Sequence, residues 1–234
     1  MSMKRYDVIT NKRQREIVLL KSSPCRWSKC TFCDYIHDNS TDEKNIIETN
    51  KGILSLVTGE LKALEVINSG SCFELPTDTL KDIRTVVEEK GIELLYFESH
   101  YMYRHRLKEM EAFFKVPIVF KCGIETFDVD FRNDVLKKGI TDESPEKIAE
   151  YFSSICLMVG IKGQTKEMIQ RDIDLALKHF AHTCVNVYVD NSTEIVADPQ
   201  LISWFEDNFR YLEDLDHVEV LWHNTDFGVG GEDE

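Results

Sequence analysis

The sequence predicts an α/β fold: a partial (βα)6 barrel with a mainly parallel sheet. Three observations predict it. Short apolar runs alternate with longer stretches whose apolar residues recur at three- and four-residue spacing, the rhythm of repeated βα units. The 234 residues fall short of the roughly 250 that a complete eight-unit barrel takes. No proline- or serine-rich linker divides the chain, so a single domain over 1–234 is expected, with its core at about 16–212.

The elements follow in order. Strands are expected at 16–20, 64–68, 94–98, 118–124, 155–160 and 185–190, each followed by a helical period. Those periods fall at 44–56, 77–90, 103–114, 129–136 with 145–151, 166–178 and 199–212. Pro76 before Thr77, and Ser144 before Pro145, suit helix starts, because proline is tolerated in the first helical turn. A closing edge strand is expected at 218–222, and 224–234 reads as an acidic C-terminal tail that frays.

Composition narrows the function. With 42% apolar and 30% charged residues the chain is that of an ordinary soluble globular protein. Its longest apolar run, Ile155 to Ile161, is far shorter than the roughly 20 residues that span a bilayer, and no signal segment follows Met1, so a cytoplasmic protein without a membrane partner is expected. A net charge of -14 repels phosphate backbones, which disfavours tRNA and favours a small uncharged or cationic substrate. Seven cysteines without a signal segment point to reduced thiols or metal ligands.

Three of those cysteines lie in one loop directly after the first expected strand: Cys25, Cys30 and Cys33, in a Cys-x4-Cys-x2-Cys pattern. Thiolates select zinc or iron–sulfur centres. A closed Cys3His zinc site completed by His37 is one reading. The loop's spacing, and its place at the carboxyl end of a strand where α/β sheets bind ligands, favour an iron–sulfur centre. Cys72, Cys122, Cys156 and Cys184 stand among apolar neighbours as small buried residues.

On these residues the chain resembles the radical S-adenosylmethionine (SAM) superfamily, whose three cysteines after the first strand hold a 4Fe-4S cluster with one iron open to SAM. The usual spacing is Cys-x3-Cys-x2-Cys, so one residue is inserted here between Cys25 and Cys30, while Phe32 before the third cysteine matches the pattern. The resemblance implies that Ser69, Gly70 and Ser71 meet the methionyl amine, and that Glu125 in Gly-Ile-Glu-Thr meets the ribose hydroxyls. It likewise implies that Gly160 turns beside the adenine and that Arg104 meets the carboxylate. Taken alone, the 69–71 turn has an ordinary strand-to-helix turn as its lesser reading, the acids read equally as solvated or capping groups, and 157–165 reads first as a buried strand ending in a cap at Thr165.

The runs Phe-Glu-Ser-His (97–100), Gly-Ile-Glu-Thr (123–126) and Leu-Lys-Lys-Gly (136–139) are most similar to the elongator and archaeosine-synthase branch of that superfamily. The chain has no room for an added RNA-binding domain and no second cysteine triplet. The resemblance implies a lyase of queuosine salvage that cuts free queuine to 7-aminomethyl-7-deazaguanine. A 5'-deoxyadenosyl radical would take hydrogen from the cyclopentene-diol, and a flavodoxin- or ferredoxin-type donor would supply electrons. Queuine's secondary amine is cationic near neutral pH and suits an acidic protein. Asp190, Glu98 and Asp226 are candidates to read the base, with Asp190 preferred, Tyr35 or Trp222 to stack on it, and His37, His100 or His223 to donate a proton. A tRNA-modifying subunit and a non-catalytic zinc-binding module are the alternatives.

Overall fold

The computed structural model describes residues 3–141, 144–223 and 225–230. In chain order its elements are β1 (Tyr6–Ile9), β2 (Arg15–Leu20), α1 (Glu43–Leu54), β3 (Ala63–Asn68), α2 (Thr77–Lys90), β4 (Leu94–Glu98), α3 (Leu107–Phe114) and β5 (Ile118–Glu125). They continue as α4 (Pro145–Ala149), β6 (Ser154–Val159), α5 (Lys166–His179), β7 (His182–Val187), α6 (Pro199–Phe209) and β8 (Val218–Leu221). The strands form one sheet in the order β1 to β8. β1 runs antiparallel to β2, and the pairs β2·β3, β3·β4, β5·β6, β6·β7 and β7·β8 are parallel. This is the mainly parallel α/β sheet of the partial-barrel class, with all six expected strands present and the expected edge strand as β8.

Local chemistry explains most boundaries. β2 and β6 are buried along all six residues, as strands covered on both faces must be. Asp42, Ser144, Thr165 and Asp198 each accept a hydrogen bond from a backbone N–H in the first turn of α1, α4, α5 and α6. α2 ends at Gly91, whose φ of +63° is a left-handed cap.

Four expectations are corrected. The helix expected at 129–136 is a single π turn, Phe131–Val135, and 103–114 begins as a 3-10 turn, Tyr101–Arg106, before α3. α6 stops at Phe209 and continues as a 3-10 turn, Arg210–Asp214. The C-terminal segment does not fray over 227–230: Val229 is buried against Ile17 and Leu19, Phe227 lies beneath the Arg15 guanidinium, and the Gly230 N–H donates to the Lys4 carbonyl. Asn224 and residues 231–234 of that expected tail lie outside the described residues.

The chain divides into two compact units: 1–28, 35–120 and 227–234 in the first, 29–34 and 121–226 in the second. In the first, Arg15 and Glu65 form a fully buried ion pair beneath the β1·β2 hairpin. In the second, the amino ends of β6, β7 and β8 carry a buried polar network. Ser154 Oγ lies 2.7 Å from His182 Nδ1, His182 Nε2 lies 3.1 Å from Glu219 Oε2, and Lys121 Nζ lies 3.9 Å from that same oxygen. All four side chains are buried, at the opposite end of the strands from their carboxyl ends.

The second unit also buries Asp172, which accepts the Phe127 N–H at 2.7 Å. Burial pushes its carboxyl up to about 6, although hydrogen bonds from Thr126 and the Phe127 N–H oppose the rise. Folded protein therefore holds this proton more tightly than the unfolded chain, so the associated stability is full below about pH 4 and is lost as pH rises through 6. Asp172→Asn keeps an acceptor for the Phe127 N–H and never ionises. Its stability relative to the parent should rise from pH 4 to pH 7 by on the order of 3 kcal/mol, at about 1.4 kcal/mol per pKa unit. Urea denaturation at both pH values checks this; a pH-independent difference would contradict it.

Candidate cluster and cofactor site

In the first unit, β2 delivers the chain to the carboxyl end of the sheet, where Asn50 grips Lys21 at both its N–H and its carbonyl, each at 2.8 Å. The loop then meets Glu74, the last residue of a 3-10 turn, Cys72–Glu74. The Glu74 carbonyl accepts the Ser23 N–H at 3.1 Å, and its carboxylate accepts the Arg26 N–H at 3.3 Å. Cys25, between these two contacts, is half-buried.

The small-residue turn Ser69, Gly70 and Ser71 directly follows β3, and both serines are buried. Ser69 Oγ lies 3.2 Å from Ser22 Oγ, and Ser71 Oγ lies 3.4 Å from Ser99 Oγ. A Cβ on Gly70 would sit 3.3 Å from both Glu74 Oε2 and Ser22 Oγ, which explains a residue without one. Glu98 ends β4 half-buried. Arg104 lies over the Tyr101 ring at 4.5 Å and donates to the Tyr101 carbonyl, so its own turn already engages it. His100 stacks on Trp27, while Tyr35 and His37 are exposed.

In the second unit, Cys30 and Cys33 are half-buried on a turn closed by the Cys33 N–H to the Cys30 carbonyl. Three bonds hold that turn: Thr31 donates through its N–H to Leu136 and through its hydroxyl to Val135, and the Asn191 amide donates to the Phe32 carbonyl at 2.8 Å. The Phe32 ring packs on Phe131, Leu136, Met158, Ile161 and Tyr188, with Lys138 Nζ 5.5 Å from its centre.

Glu125 closes β5 with a φ of +66°, and its carboxylate accepts Lys138 Nζ at 2.7 Å. Burial lowers the Lys138 pKa, but Glu125, followed by Cys30 and Cys122, outweighs it and raises the pKa above the ordinary lysine value. Gly160 has a φ of +86°, and a Cβ there would lie 2.3 Å from Ile202 Cγ1, so the packing of α6 already requires glycine. Asp190 accepts the Ala197 N–H at 2.7 Å, and Asp226 accepts the His223 N–H at 2.9 Å. Both are exposed and each closes a local loop. Trp222 donates to Glu213 at 2.7 Å, and His223 is exposed.

The residues present fit an iron–sulfur cluster. All seven cysteines are free thiols, and only the three in the loop are half-buried while the other four are buried. Bonds independent of sulfur hold the loop on both sides of Cys25, at Ser23 and Arg26, and between Cys30 and Cys33, at Thr31 and Phe32. Among the described residues no trio of His, Cys, Asp or Glu side chains is placed to hold a single metal ion.

A mainly parallel α/β sheet that presents three such thiols in one loop after its first parallel strand defines a radical SAM enzyme. No protein-family model matches the chain. Over 98% of its length it is 49% identical to a queuine lyase from Clostridium spiroforme, solved bound to SAM and queuine, and it covers 100% of that chain with a TM-score of 0.96. Over 62% of its length it is also 24% identical to an uncharacterized protein of Methanocaldococcus jannaschii, of which it spans 44%, less than half. The chain belongs to the queuine lyase family.

Proposed function

We propose that the chain is a radical SAM lyase of queuosine salvage that cleaves free queuine to 7-aminomethyl-7-deazaguanine. One observation carries this reading: the full-length match, at 49% identity, to a queuine lyase with SAM and queuine bound. Cys25, Cys30 and Cys33 would hold the 4Fe-4S cluster. When bound and reduced, the cluster and SAM supply the 5'-deoxyadenosyl radical that takes hydrogen from the substrate.

The chain's own part is to orient and to exclude water. The 69–71 turn would meet the methionyl amine through closely approaching backbone, and Arg104 the methionyl carboxylate. Phe32, seated on its apolar cluster, fixes the last cysteine. Glu125, held by Lys138, would face the ribose hydroxyls, and Gly160 would lie by the adenine. Glu98 would read the base, ahead of Asp190, the acid preferred from sequence; its half-buried position at the carboxyl end of a parallel strand supports this. Asp190 and Asp226, each with a carboxylate oxygen engaged in its own loop, are secondary candidates, with Tyr35 for stacking. The charge of -14 favours a free cationic base over tRNA, and a flavodoxin- or ferredoxin-type protein in the cytoplasm would donate the electron. Among the described residues no helix is long and apolar enough to cross a membrane.

The test is anaerobic incubation of the reconstituted protein with reductant, SAM and queuine. The aminomethyl base and 5'-deoxyadenosine should appear together by mass. Intact free queuine, with turnover only of the base within tRNA, would replace this reading with a tRNA-modifying one.

A further inference from the structure

We infer that Glu74 is a positioning residue for the radical chemistry, its carboxylate fixing the Cys25 limb of the loop against the 69–71 turn. The inference rests on reading Cys25 as a cluster anchor and that turn as the contact for the cofactor's amine. Four contacts from three places in the first unit meet at this one residue. The Arg26 N–H, one position after Cys25, donates to Oε1 at 3.3 Å, and the Tyr103 hydroxyl donates to the same oxygen at 2.6 Å. The Ser71 N–H donates to Oε2 at 2.5 Å, and the Ser23 N–H donates to the Glu74 carbonyl at 3.1 Å.

Both carboxylate oxygens therefore face backbone N–H donors and can only accept. A carboxylate supplies two accepting ends, whereas an amide of the same shape supplies one. Glutamine at this position would turn an N–H toward either Ser71 or Arg26, donor against donor: at Ser71 it would leave a buried N–H unsatisfied, and at Arg26 it would release the part-buried tie beside Cys25. The Tyr103 side of this arrangement is packed in place. Tyr103 is buried and stacked on Phe73 at 4.7 Å, and Phe73 lies under the Arg106 guanidinium at 4.7 Å. Gly70 leaves the space that Glu74 Oε2 needs. Moving this carboxylate would thus shift the residue beside an anchoring cysteine relative to the turn that receives the cofactor. A displacement of about 1 Å at a reacting centre is enough to cost about a hundredfold.

Glu74→Gln, Tyr103→Phe, the double variant and Cys25→Ala are reconstituted anaerobically. Their iron content, the electron paramagnetic resonance of the reduced cluster with and without SAM, and the KM for SAM are then measured. Glu74→Gln should keep iron near the parent level, lose much of the spectral change that SAM induces, and raise the KM for SAM about tenfold, equivalent to about 1.4 kcal/mol. Tyr103→Phe should shift both readouts less, and the double variant should go no further than Glu74→Gln. A parental KM and spectrum in Glu74→Gln, with Cys25→Ala unable to hold a cluster, would overturn the role of Glu74 and leave the cluster reading standing. A Cys25→Ala protein that still holds and uses a full cluster would overturn that reading instead. If Glu74→Gln does not fold, Tyr103→Phe decides, because it removes one hydroxyl and keeps the ring stack; a parental KM there contradicts the inference.

Discussion

Cys30→Ala is expected to lower reductive SAM cleavage by about a thousandfold or more, since even residues that merely support metal ligands cost 10- to 100-fold when mutated. The apoprotein should stay folded. Cys30 is half-buried, and the backbone around it is held by Thr31 and Asn191 through bonds that involve no sulfur. Its thermal midpoint should therefore lie within about 4 °C of the parent's, as for a change of less than about 1 kcal/mol. The comparison belongs to the cluster-free forms, because a bound cluster stabilises whichever protein retains it. Cys184→Ala is the control: buried within β7, that thiol should cost about 1 kcal/mol of stability and leave cleavage intact. Cleavage that survives Cys30→Ala would remove this residue from the ligand set.

The strands were legible because burial on both faces forces a continuous apolar run, as in the six buried residues of β6. β1 was not. Its four residues are mostly half-buried and follow a charged start, so neither apolar length nor alternation marks them; only antiparallel pairing with β2 makes them a strand. The π turn at Phe131–Val135 was hidden for a different reason. Its apolar spacing is helical, and what departs from an α-helix is the hydrogen-bond geometry. Val229 was lost in an acidic, glycine-rich stretch, where a single apolar residue gives no periodic signal although it is buried against Ile17 and Leu19.

Within the candidate site, motif-bearing residues were legible and their supports were not. Glu74, Lys138 and Asn191 received no role from sequence. A buried carboxylate that accepts from separate segments looks, in one dimension, like any glutamate near a helix start. Asn191 reaches Phe32 from 159 positions away, a separation no local pattern encodes. Lys138 did lie in a quoted run, Leu-Lys-Lys-Gly, but choosing between Lys137 and Lys138 requires knowing which side chain reaches Glu125. Asp190 and Asp226 were read from sequence as acids at a strand or chain end; that each also closes its own loop is visible only in the structure.

Glu125→Gln should destabilise the protein by about 3–5 kcal/mol, the usual cost of removing one partner from a buried ion pair. Glu125 is 4% exposed and Lys138 9%, and the carboxylate at 2.7 Å is the foremost charge keeping that ammonium ionised. The strand is built around the pair. Glu125 turns through a left-handed φ and its side chain folds back over Gly123, where a Cβ would lie 2.4 Å from Oε1 and 2.9 Å from Lys138 Nζ. Adding Lys138→Met to Glu125→Gln should recover most of the loss, because the ammonium then no longer has to stay buried without its nearest counter-charge. Denaturant titrations of the four cluster-free proteins give the coupling directly, and strictly additive losses would show that the two groups stabilise the fold independently. The recovered double variant also separates fold from function: if Glu125 meets the ribose hydroxyls, that protein should be stable yet bind SAM weakly, and parental SAM affinity would leave Glu125 a structural acid only.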